Sequence, residues 1–135
     1  MSERLKRIRD LAIAHRMTIA TAESCTGGGL AARLTDLPGA STFFLGGIVS
    51  YDNRIKVELL GVPERTLLTQ GAVSSETARA MADGVRARFS SDLGVGITGV
   101  AGPGGGRKLD EAREEGVEIL DEEAFLSLLE DKGGR

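Results

Sequence analysis

The chain has one cysteine and one histidine in 135 residues. One cysteine excludes an internal disulfide and a cysteine-built zinc site, and suits a reducing compartment. A histidine-based catalytic triad would have only His15 to draw on. No apolar run approaches the ~20 residues that a membrane span needs. Residues 1–10 are charged and amphipathic, with no signal-peptide core. The expectation is a cytoplasmic protein with no membrane association. The nineteen glycines, about twice average usage, show no Gly-X-Y period, which excludes a collagen-like chain. No internal repeat and no long linker is present.

What remains is globular. Hydrophobic residues make up 41% and charged residues 27%, and the length suits one domain with a modest core. The net charge of −3 argues against a general nucleic-acid binder. That charge is uneven: residues 1–106 carry +2, whereas residues 107–135 carry −5 and half of all the carboxylates. The step falls just after the run Gly102-Pro103-Gly104-Gly105-Gly106 and marks an expected boundary within a single domain, 1–135.

Hydrophobic periodicity gives alternating elements. Ser2 is placed to cap a helix whose stripe is Leu5, Ile8, Leu11, Ala12 and His15. His15 thus reads as a packing or surface residue at a helix end. Met17 to Ala22 reads as a strand rich in β-branched residues, followed by a polar and glycine turn and a helix through Leu34. Phe43 to Tyr51 is a mostly apolar strand, expected to be buried on both faces. Asp52 or Asn53 caps a helix to Leu60, which Gly61 stops, and Val62 to Thr69 holds a proline-started helical turn. Ser74 caps a longer helix through Phe89, with Ala78, Met81, Ala82, Val85 and Phe89 facing the core. Leu93 to Ile97 is a third strand. Residues 108–115, 117–120 and 121–129 read as helix, strand and helix. This order predicts an α/β three-layer sandwich, a mostly parallel sheet with helices on both faces.

Two segments carry potential chemistry. The first is Glu23-Ser24-Cys25-Thr26-Gly27-Gly28-Gly29, a polar cluster between a strand end and a helix start, where open α/β sheets bind ligands. Backbone N–H groups of Gly27 to Gly29 could receive an anion or an oxyanion. The spacing matches neither a P-loop nor GxGxxG, and Ser24 or Thr26 as a plain helix cap is an equally open reading. The second is Gly99 to Gly106, which either lets backbone approach a ligand or is a flexible connector. The usable hydroxyls are Ser24, Thr26, Tyr51 and Thr98, and Lys56 is the nearest thing to a base. A Ser–Lys pair works if Lys56 is neutral; the ordinary alternative is a solvated, exposed Lys56.

Several motifs in order add to this reading: Ala22 to Gly28, Gly46 to Asn53, Lys56, Leu60-Gly61-Val62, Gly71 to Ser74 and Thr98 to Gly105. Over about residues 3–106 they resemble the CinA C-terminal domain family, whose enzymes are nicotinamide mononucleotide deamidases. The resemblance implies hydrolysis of the nicotinamide amide to nicotinic acid mononucleotide and ammonia, with no metal and no cofactor, by a domain that is commonly a homodimer. It implies Ser24 as nucleophile and Lys56 as its base, with Tyr51 and Thr98 completing the catalytic set. Thr26, Gly27, Gly28, Gly102, Gly104 and Gly105 are then the expected substrate-binding residues. Cys25 reads as a small packing residue.

Beyond Gly106 the resemblance changes. Residues 106–126 look like the end of a BRCT domain of a bacterial NAD-dependent DNA ligase, a match spanning about 99–132. The expected chain is therefore a chimera, engineered or recombined, joined within or just after Ile97 to Gly106. Three functions follow: an amidohydrolase, a catalytically silent fused scaffold, and a BRCT-like interaction module.

Overall fold

The computed structural model describes residues 3–100. Within them three strands form one parallel sheet: β1 (Ile19–Glu23), β2 (Phe44–Val49) and β3 (Leu93–Ile97), in the order β2-β1-β3. Helix α1 (Glu3–Ala14) precedes β1, and α2 (Gly29–Thr35) with a 3-10 turn (Ala40–Thr42) connects β1 to β2. Helices α3 (Asn53–Leu60), α4 (Glu64–Gln70) and α5 (Ser75–Phe89) connect β2 to β3. Among the described residues, no helix is long and apolar enough to cross a membrane. The tail elements expected at 108–129, the Ser2 cap and the join with its BRCT-like continuation lie outside the described residues.

The alternation along β1 explains the layers, because successive side chains of a strand leave opposite faces. Ile19 joins a core with Leu5, Ile8 and Ala12 of α1, Leu34 of α2, and Leu37, Phe43 and Leu93. Ala20 and Ala22 face the other way, into a second core with Leu60, Val62, Met81 and Val85. Helices α1 and α2 therefore cover one face and α3 to α5 the other. The sandwich is the one that the sequence pattern implied.

Local signals act as expected at several ends. Asp52 caps α3 by accepting from the Arg54 amide at 2.8 Å, and Gly61 ends that helix at φ 67°. Ser74 caps α5 by accepting from the Thr77 amide. In contrast, β2 is not buried on both faces. The chain places β1, not β2, at the centre, so β2 is an edge of the described sheet. Leu45 and Val49 are accordingly exposed.

Glycines set the spacing on the α5 face. A Cβ on Gly94 would run into the Ala82 carbonyl oxygen, and one on Gly96 into that of Ala78. Helix α5 thus sits on bare strand. Gly84, on α5 itself, lies equally tight against the Leu60 carbonyl at the end of α3.

Candidate active site

All three strands are parallel, so their carboxyl ends share one edge of the sheet. The connections from β1 and from β2 run to opposite sides of β1 and over opposite faces. The crevice beyond β1 is therefore the topological switch point, the place where α/β sheets take ligands. Ser24 is the first residue beyond β1, and Ser50 and Tyr51 directly follow β2.

Lys56 reaches this point from α3. Its neighbour on the same helical face is Leu60, so the side chain is carried inward rather than into solvent, and the residue is only 1% exposed. Its Nζ donates to the carbonyl oxygens of Ser50 at 2.7 Å and Tyr51 at 3.1 Å. The same nitrogen lies 3.0 Å from Ser24 Oγ, and Ser24 is 6% exposed. Burial pushes the Lys56 pKa below its ordinary value, while Asp52 and Cys25 nearby pull it up. The net shift is downward, toward a neutral amine. The solvated alternative for Lys56 does not hold.

Ser24 is fixed by its main chain as well. Its amide donates to the Ile97 carbonyl at 3.0 Å, and the carbonyl of Glu23 accepts from the Ser50 amide at 2.8 Å. Glu23 is itself 1% exposed. Its carboxylate accepts from Thr26 Oγ1 at 2.6 Å and from the amides of Leu30 and Ala31 at 2.8 and 3.0 Å. It therefore occupies the first-turn donors of α2, which are not open to a bound anion. Gly28, the residue before α2, has φ 101° and supplies no capping side chain. The Gly27 amide donates to the Ser24 carbonyl. Among the described residues, the amides of Cys25 and Thr26 donate to no main-chain carbonyl.

The other expected residues are arranged differently. Tyr51 is 65% exposed, and it is its carbonyl that engages Lys56. Thr98 Oγ1 donates to the Ala72 carbonyl at 2.7 Å, tying the end of β3 to the loop before α5. Thr26 is exposed and gives its hydroxyl to Glu23. Cys25 is half-buried, and its thiol pKa is raised chiefly by burial. Gly102, Gly104 and Gly105 lie outside the described residues. His15 is exposed at the end of α1, on the far side of β1's first residue.

The model of the family described as the CinA C-terminal domain matches residues 2–112. The chain belongs to the CinA C-terminal domain family. The match continues past residue 106, into the segment where a different parent was expected. A CinA-like protein of Desulfovibrio desulfuricans is 61% identical over 92 residues, which is 68% of this chain and 22% of that protein. Among solved structures, the competence/damage inducible protein CihA of Agrobacterium tumefaciens superposes with a TM-score of 0.72 at 43% identity. The superposition covers 76% of this chain and 62% of that one. A CinA superfamily protein of Enterobacter cloacae gives 0.73 at 35% identity, covering 75% and 60%. The chain thus spans under a quarter of the curated relative's length and about three fifths of the solved CinA chains.

Two residues of this CinA-family site escaped the sequence reading. Ser50 contributes a buried carbonyl, for which the sequence offers no signal. Glu23 had one: α2 starts after Gly27-Gly28 with no Ser, Thr, Asp or Asn at its cap, and the nearest acid precedes Ser24.

Proposed function

We propose that this chain carries an amide-hydrolysing site for nicotinamide mononucleotide, with Ser24 as nucleophile and Lys56 as general base. The observation that carries this reading is the buried amine 3.0 Å from Ser24 Oγ. An ammonium would donate to all three of its oxygen neighbours. A neutral amine has two N–H groups, which the carbonyls of Ser50 and Tyr51 accept, and one lone pair left over. That lone pair then faces the Ser24 hydroxyl, which donates to it. Burial favours this neutral form.

In the first half-reaction Lys56 takes the Ser24 proton as Oγ attacks the amide carbon. The amides of Cys25 and Thr26, beside the nucleophile, face the Cys25 sulfur in the resting site and are the donors that would turn to the tetrahedral oxyanion. Lys56 then passes the proton to the amide nitrogen, the C–N bond breaks, and ammonia leaves as a neutral molecule. In the second half-reaction Lys56 takes a proton from water as its oxygen attacks the Ser24 ester. The proton returns to Ser24 and nicotinic acid mononucleotide departs. Family membership and the Ser24-to-Gly28 motif support this substrate.

Ammonia release from nicotinamide mononucleotide tests the reading, with Ser24→Ala as the control. Turnover abolished by the substitution supports it. No turnover from a folded sample removes it and leaves the silent scaffold.

A further inference from the structure

We infer that Glu23 is a positioning residue for the nucleophile: by clamping the turn between β1 and α2 it holds Ser24 Oγ in line with the Lys56 amine. This role rests on the Ser24–Lys56 reading above. The turn leaves β1 at Ser24 and enters α2 at Gly29 through two glycines, Gly27 and Gly28, both at positive φ. Glycines in that region leave a chain with many alternatives, so something else must select one of them. Within the turn the Gly27 amide donates to Ser24 and the Gly29 amide to Thr26. Glu23 adds side-chain bonds across its base, to Thr26 on the turn and to Leu30 and Ala31 on the helix.

Alternation in β1 turns this clamp into a lever on the site. Glu23 points to the α1/α2 face, and Ser24, one residue on, points to the opposite face and Lys56. The peptide between them is pinned on both sides, through the Glu23 carbonyl to Ser50 and the Ser24 amide to Ile97. The sheet thus holds the start of the turn, while the Glu23 carboxylate holds its far end, so the clamp sets the path of the main chain after Ser24 and with it the orientation of Oγ. An ordinary helix cap would sit at position 28, but the left-handed backbone there excludes it. The capping work falls to a residue adjacent to the nucleophile instead. Burial raises the Cys25 thiol pKa, and the same carboxylate adds to that, keeping the neighbour of Ser24 protonated.

The test measures how fast Ser24 reacts with an alkyl fluorophosphonate in the full chain, read by mass on the Ser24 peptide. Oγ forms the bond to phosphorus, fluoride leaves, and Lys56 takes the proton. Glu23→Gln keeps the shape but turns an N–H group toward an amide of α2. Its rate constant is expected to fall at least about tenfold, since sub-ångström misplacement suffices for losses of that order. The final labelled fraction and the midpoint of the pH profile stay as in the wild type. A rate constant within twofold of wild type, or a loss seen only in the labelled fraction, overturns the proposal. Should Glu23→Gln fail to fold, Thr26→Val carries the test from an exposed position: slower labelling at full extent supports the clamp, and the wild-type rate overturns it. A wild type that is not labelled at Ser24 overturns the Ser–Lys pair, and the clamp with it. Labelling that depends on Glu23, without release of ammonia from nicotinamide mononucleotide, removes the amide substrate and leaves Glu23 in place.

Discussion

Gly96 of β3 and Ala78 of α5 meet backbone to backbone, with no room for a methyl group between them. Gly96→Ala is therefore expected to destabilise the fold by about 3 kcal/mol, the cost of overpacking a site that cannot shift cheaply. Gly61→Ala is the contrast. Nothing lies within 4 Å of a Cβ there, but φ is 67°, so the cost is backbone strain of about 1 kcal/mol. Urea denaturation of the two variants should rank them in that order, and equal midpoints would contradict the packing argument.

The Lys56 amine gives the site its pH dependence. Ammonia release should rise with pH as Lys56 loses its proton, with a midpoint below 10.5, the ordinary lysine value. Lys56→Met keeps the length and apolar stem while removing the base. It should lower the rate by roughly 10²- to 10⁴-fold and flatten the profile. Met is the better replacement than Ala, which would leave a cavity beside the carbonyls of Ser50 and Tyr51. A profile that does not change on substitution would remove Lys56 as the base.

Stability carries the same signature. The folded chain releases the Lys56 proton at lower pH than the unfolded chain does, because burial depresses its pKa from 10.5. Between those two values the unfolded state binds the extra proton, so unfolding free energy climbs as pH rises. The contribution is complete above 10.5 and is lost as pH falls through the folded value. The difference between wild type and Lys56→Met, followed by urea midpoints across this alkaline window, should show that slope. A constant difference would argue that the amine is not depressed.

Thr21, in the middle of β1, has a buried Oγ1 with no hydrogen-bond partner among the described residues. Valine has the same shape without the hydroxyl. Thr21→Val is expected to stabilise the fold by about 1 kcal/mol, because an unsatisfied buried hydroxyl carries a desolvation cost of that order. A lowered melting temperature would show that the hydroxyl has a partner after all.

The sequence was most informative where one residue decides one local event. Asp52, Gly61 and Ser74 marked helix ends correctly, because caps depend on neighbours within a few positions. Ser24 and Lys56 were legible as a pair through their motifs. The burial of Lys56 was not, since a lysine on a short helix reads as solvated until tertiary packing turns its face inward. The two-sided burial expected of β2 belongs to β1, because hydrophobic content cannot report strand order. Glu23 had a signal in the uncapped start of α2, but its partners at Thr26, Leu30 and Ala31 lie across a turn whose path only the folded chain defines.

The glycine contacts also make a gauge. Gly94 and Gly96 set α5 against β3, and Gly84 sets α5 against Leu60 at the end of α3, four positions along the helix from Lys56. Main chain touches main chain at each step, so no side chain can yield to absorb an error. The 3.0 Å gap between Lys56 and Ser24 is the last interval in that stack. A methyl group inserted at Gly94, far from any reacting atom, would thus be read out at the active site as a change in the reach of the amine.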